Sequence, residues 1–224
     1  TVAPTLIPTQ TSLPPTATAT VPPLTATPTV EPTAGGVQSL VLQQGVNGYT
    51  GMVDTKLYNW DANTNYGNHE SLETSAQRAT TSLLRFDLSA IPVNSTVQTA
   101  TLSLYLKYSD AGRQSRPAQL HRLLKIWTET EATWSQRSAG QTWSGAGPQA
   151  ESDYADAFAA TAQSGQAGAW LTWPIKDLAQ SWVSDPNGNL GVLLLDPSAW
   201  GVPADSGYVR SYASSEYANA AWRP

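Results

Sequence analysis

Two stretches of the chain alternate apolar and polar residues with a period of two. In the first, Leu84, Phe86 and Leu88 are separated by Arg85 and Asp87. In the second, Leu102, Leu104, Leu106 and Tyr108 face one way and Ser103, Tyr105 and Lys107 the other. Successive strand residues point to opposite faces, so each stretch predicts a strand with one apolar side. Ala90-Ile91-Pro92 ends the first, because proline cannot donate to a ladder. Two such runs joined by a Pro/Asn/Ser turn predict a sheet core, with Leu84, Phe86, Leu88, Leu102, Leu104, Leu106, Leu193 and Leu195 largely buried.

Weaker patterns fill in the rest. Residues 39–43 read as the first strand and residues 51–57 as the second. Residues 118–125 alternate weakly and predict another, and residues 152–169, rich in Ala, Gly and Ser, predict a long crossing with one strand. Residues 169–175 and 207–214 predict strands, and residues 190–195, apolar almost without a break, a buried central one. Residues 177–183 predict the single short helix, with Leu178, Trp182 and Val183 on one face. Asp185-Pro186-Asn187-Gly188 stops it.

Residues 1–36 form a different kind of segment, dominated by Thr and Pro with Glu31 its only charge. Proline fixes φ and threonine is stiff, which predicts an extended, polyproline-like arm that collapses poorly. Gly35-Gly36 is the hinge. The division is therefore an arm over residues 1–36 and a domain over residues 37–224.

Within the domain, the run Leu83-Leu84-Arg85-Phe86-Asp87-Leu88-Ser89-Ala90-Ile91-Pro92, followed by Thr99-Ala100-Thr101-Leu102-Ser103-Leu104-Tyr105-Leu106, resembles the central motif of the DNRLRE-domain family. Asn63-Thr64-Asn65-Tyr66-Gly67, Ala132-Thr133-Trp134, residues 173–183, Leu190-Gly191-Val192-Leu193-Leu194 and Tyr212-Ala213-Ser214-Ser215-Glu216 extend the resemblance over roughly residues 37–224. It implies an all-β, jelly-roll-like β-sandwich similar to carbohydrate-binding modules of secreted, multidomain bacterial and archaeal proteins. Members of that family continue past the proline equivalent to Pro224 with one more alternating apolar strand. The resemblance thus implies a sandwich that lacks its closing strand.

Composition narrows the chemistry. Cysteine is absent, which removes disulfides, thiol catalysis and zinc–thiolate sites. With 13% charged residues and a net charge of −5, the chain has no basic stripe for nucleic acid. No apolar run approaches the roughly 20 residues that span a bilayer. No residue is assigned a catalytic role: Glu151, Asp153, Asp156 and Asp177 are acids that only folding could pair, and nothing in their spacing selects two of them. His121 reads as a sheet-surface residue.

Trp60, Trp127, Trp134 and Trp143 offer wide faces on which sugar rings can stack, although the resemblance makes Trp134 a core-closing residue. Asp61, Asn63 and Asn65 present oxygens at alternate positions, as calcium loops do. No bidentate acid closes that set, and Asn and Asp are ordinary turn residues, so a hydrogen-bonded loop is favoured and no cofactor beyond calcium is suggested.

The arm and the missing strand together predict a structural subunit of an extracellular filament or surface assembly. In this reading Thr16, Ala17, Thr18, Ala19, Thr20 and Val21, the longest proline-free run of the arm, dock as a donor strand on the next subunit. Ala17, Ala19 and Val21 would point inward. A head-to-tail contact of this kind propagates as a homopolymer. The alternative is a secreted carbohydrate-binding module tethered by a Pro/Thr linker. Either reading places the protein outside the cell or on its surface, with a signal peptide already removed. Both predict sugar on Thr16, Thr18, Thr20, Thr25 and Thr27, and at the Asn94-Ser95-Thr96 sequon.

Overall fold

The structure is a computed structural model that describes residues 36–76, 79–109, 115–197 and 209–224. Within them, in chain order, lie β1 (Met52–Tyr58), β2 (Ser71–Ser75), β3 (Thr80–Phe86), β4 (Thr101–Ser109) and β5 (Arg116–Leu123). They are followed by β6 (Gln136–Ser138), β7 (Gln141–Thr142), β8 (Tyr154–Ser164), β9 (Ala169–Pro174), the helix α1 (Lys176–Ser184), β10 (Val192–Leu195) and β11 (Val209–Ala213). A five-stranded sheet runs β1-β3-β10-β5-β8 and a four-stranded sheet β2-β11-β4-β9, while β6 and β7 pair separately. Every ladder is antiparallel. The fold is an all-β, jelly-roll-like sandwich. By internal contacts the chain divides into Thr1–Ser39 and Leu40–Pro224, and the second unit holds all of these elements.

The two alternating runs that dominate the sequence are not neighbours. β3 pairs with β1 and β10, whereas β4 pairs with β11 and β9, so the two lie in different sheets of the sandwich. Their connection crosses between the sheets, held by α1: Gln180 donates to the Ser95 carbonyl at 3.2 Å and accepts from Val97 N–H at 2.8 Å. Leu84, Leu104, Leu120, Trp173, Leu194 and Tyr212 fill the space between the sheets. Leu178 and Trp182, four residues apart on α1, close one end.

Consecutive strand residues point to opposite faces, so Leu83 and Leu193 must lie behind the five-stranded sheet. There they form a second core with Leu57, Leu195, Trp127, Trp143 and Tyr154, covered by the long connection between β5 and β8. Strand β3 is thus buried on both faces rather than one. Phe86 and Leu88, expected to be largely buried, are half-buried at the core margin.

The expected first strand is absent. Residues 39–43 join no ladder, and Leu40 and Val41 are exposed. The segment instead meets the other end of the domain. Gln43 donates its amide N–H groups to the carbonyls of Ala221 and Arg223, and Gln44 N–H donates to the Pro224 carbonyl at 2.8 Å. Among the described residues no helix is long and apolar enough to cross a membrane.

Candidate functional site

The residues of β4 that do not enter the core, Ser103, Tyr105 and Lys107, lie on the outer face of the four-stranded sheet. Opposite Tyr105 in the ladder is Trp170 of β9. Trp170 and Trp173 are three residues apart on one strand, so one must point in and the other out. Trp173 is the inner one, and its indole N–H donates to the Ala118 carbonyl at 2.8 Å. Trp170 meets Tyr105 edge-on, with ring centroids 5.6 Å apart and planes at 73°.

On the same face Trp222 stacks on Tyr105 at 4.3 Å, and Tyr217 stacks on Trp222 at 5.9 Å. Lys107 Nζ sits 4.3 Å from the Tyr217 ring and donates to the Glu70 carbonyl and to Ser71 Oγ. Desolvation lowers the pKa of this ammonium, against the opposing pull of Glu70 and Glu73. In this pile the ring faces of Tyr105, Trp222 and Tyr217 cover one another.

Trp170 stays 43% exposed. It borders a groove of about 290 Å³ where β8 turns into β9, lined also by Leu106, Gln163, Gln166, Ala167 and Leu171. Apolar surface beside two amides, each carrying donors and an acceptor, suits a ligand with alternating C–H and hydroxyl surfaces.

A second constellation lies at the free edge of β1. Asp54, Glu129 and Glu216 each bring a carboxylate oxygen within 4.8 Å of the others. They come from β1, from the loop after β5 and from the segment after β11. Asp54 is 1% exposed. Its Oδ2 accepts from Ser215 N–H at 2.8 Å, while its own backbone N–H donates to Glu129 Oε1 at 2.6 Å. Glu216 Oε1 accepts from Ser215 Oγ at 2.6 Å. Asp54 Oδ1 and Glu216 Oε2 are buried with no hydrogen-bond partner. Burial pushes the Asp54 carboxyl well above the usual carboxylate range, and the Glu216 charge adds to this. Burial also raises Glu129, against the hydrogen bond from Asp54 N–H.

The residues singled out in the sequence fall in several places. Trp127 and Trp143 are buried, donating to the carbonyls of Leu190 and Thr133. Trp134 is half-buried against Gly147. Trp60 is 77% exposed on the loop after β1, with Tyr58 edge-on at 5.6 Å. Asp61 accepts from Thr64 and Tyr66, and Asn63 is exposed. Asn65 donates to the carbonyls of Glu129 and Ala132, which joins its loop to the one carrying the acidic cluster.

His121 is buried between Tyr154 and Phe158, with Nδ1 2.9 Å from the Ala155 carbonyl. Asp153 is buried and accepts from Ser144 and Gln149, whereas Glu151, Asp156 and Asp177 are exposed. Asn94 is exposed on the crossing between β3 and β4. Thr16, Ala17, Thr18, Ala19, Thr20, Val21, Thr25 and Thr27 lie outside the described residues.

The family model of carbohydrate-binding module family 96 matches residues 50–221, which include both sheets, the groove and the acidic cluster. The chain belongs to that family. A carbohydrate-binding module family is non-catalytic. No curated protein matches the module.

Neither Trp170 nor the acidic cluster is among the residues singled out from the sequence. For Trp170 a signal exists, since two tryptophans at odd spacing on one strand oblige one of them to face out. For Asp54, Glu129 and Glu216 there is none, because each stands in a separate stretch of the chain.

Proposed function

We propose that the module binds a polysaccharide beside Trp170 at the edge of the four-stranded sheet. The supporting observation is the exposed Trp170 ring, held edge-on by Tyr105, next to a groove lined by Gln163 and Gln166. The axial C–H groups of a sugar ring pack on an aromatic face, and its hydroxyls exchange hydrogen bonds with amides. The neighbouring rings stiffen the platform, so little ordering entropy is lost on binding.

The module is secreted, as its motif resemblance to DNRLRE domains also implies. In this reading the Pro/Thr tract is a linker bearing sugar on Thr16, Thr18, Thr20, Thr25 and Thr27, with Asn94 a further acceptor. Intact mass of the native protein above that of the bare chain is the expected result for the sugar; equality excludes it. Head-to-tail assembly through Thr16–Val21 has no supporting observation: the donor lies outside the described residues, and Leu84, Leu104 and Leu194 are already fully covered.

Affinity electrophoresis against a panel of soluble polysaccharides tests the binding reading. Retardation by at least one polysaccharide is expected, with Trp170→Ala weakening it about tenfold or more, equivalent to about 1.4 kcal/mol. Trp60→Ala should leave it in place. Unchanged binding in Trp170→Ala overturns the assignment of the face.

A further inference from the structure

We propose that Asp54, Glu129 and Glu216 form a binding site for one calcium ion. Three carboxylates share a small space, and two of their buried oxygens, Asp54 Oδ1 and Glu216 Oε2, have no partner. A buried carboxylate oxygen without a hydrogen bond is costly, and a charged one much more so. The protein has already spent its nearby N–H and O–H donors on the other oxygens: Ser215 N–H on Asp54 Oδ2, Ser215 Oγ on Glu216 Oε1, and Asp54 N–H on Glu129 Oε1. The Arg85 guanidinium, whose charge reaches Glu129, lies over the Trp127 ring. What remains is a pair of buried acceptors without a donor, which a cation bound by both carboxylates would satisfy.

The donor set chooses the ion. All three groups offer oxygen, with no imidazole or thiolate, which selects a hard cation. Ligand oxygens on opposite sides of a calcium ion, at about 2.4 Å each, lie about 4.8 Å apart. Here one carboxylate oxygen from each of the three residues lies within 4.8 Å of the other two. Magnesium demands near-octahedral geometry at shorter distances and sheds its waters reluctantly, whereas calcium accepts the irregular set that one strand and two loops supply.

Such an ion would clasp the edge strand β1 to the loop after β5 and the segment after β11. Asn65, bonded to the Glu129 and Ala132 carbonyls, would carry that order into the loop bearing Trp60. The competing arrangement is a single proton shared between Asp54 and Glu216, which needs no metal.

The test uses the full chain, stripped with a chelator, and titrates calcium by calorimetry with magnesium as the comparison. One calcium per chain and a melting temperature that climbs with calcium concentration are expected, since a ligand of the native state stabilises it by mass action. Glu216→Gln and Glu129→Gln should each weaken calcium roughly tenfold or more. The second retains the carbonyl oxygen that accepts from Asp54 N–H, so it guards against loss of fold. Asp61→Asn, in the neighbouring loop, should bind as the parent does. No heat and an unchanged melting temperature in millimolar calcium overturn the site and leave the shared proton. Normal binding in both glutamine variants, or its loss in Asp61→Asn, overturns it equally.

Discussion

The backbone N–H of Asp54 donates a 2.6 Å hydrogen bond to a carboxylate oxygen of Glu129, 75 residues further along the chain. Strand β1 is an edge of the five-stranded sheet, and edge N–H groups left open recruit other chains. Glu129 covers one of them with a side chain. Glu129→Ala should therefore destabilise the domain by about 1–3 kcal/mol, the cost of stranding a donor. Glu129→Gln, which keeps an acceptor, should cost less. Urea denaturation in the presence of a chelator measures this term apart from any metal.

Gly147 has a positive φ of 78°, and a Cβ there would stand 2.5 Å from the Trp134 ring. An alanine must adopt an unfavourable backbone conformation and displace an aromatic side chain at once. Gly147→Ala is expected to lower stability by more than about 1 kcal/mol. Gly140 also has a positive φ but open space around it, so Gly140→Ala should cost only the backbone part. Thermal melts of the two variants separate strain from crowding.

Tyr212 is fully buried, and burial pushes its phenol from 10.0 to about 12, partly offset by the Thr74 hydroxyl and the Arg210 charge. The fold favours the neutral phenol. Its stabilising contribution is complete below pH 10, where both states are protonated, and is lost as pH rises towards about 12. The loss should be on the order of 2–3 kcal/mol. Urea midpoints measured across this range should fall less steeply in Tyr212→Phe. The half-buried Tyr49, also raised to about 12, supplies a smaller remainder.

Strand β4 was legible because its alternation is simple: Leu102, Leu104 and Leu106 enter the core while Ser103, Tyr105 and Lys107 do not. Helix α1 was legible for the same reason at helical period. Strand β3 was only half legible. Burial on both faces erases a period-two signal, and Leu83 beside Leu84 was the trace of a second core. Which sheet each run joins was not legible, because residues adjacent in sequence and joined by turn formers carry no mark of a crossing. Here the turns lie within a crossing from one sheet to the other.

Residues 39–43 show the converse error, since Leu40, Val41 and Leu42 have strand composition but no partner. Strand β2, with Glu73 and three hydroxyl-bearing residues, lacks the apolar bulk that marks a strand. The site itself was least legible. Trp170 stood unremarked beside the core residue Trp173, and three acids far apart in sequence give no spacing to read.

The proposed glycan-binding face is Trp170 with its groove, and it can be watched directly. Once a polysaccharide is identified, an oligosaccharide of it can be titrated into isotope-labelled module and followed by heteronuclear NMR. The Trp170 indole N–H and the side-chain amides of Gln163 and Gln166 should shift most. The core indoles of Trp127, Trp143 and Trp173 should stay in place. Shifts confined to Trp60 and residues 59–67, with Trp170 unmoved, would contradict it.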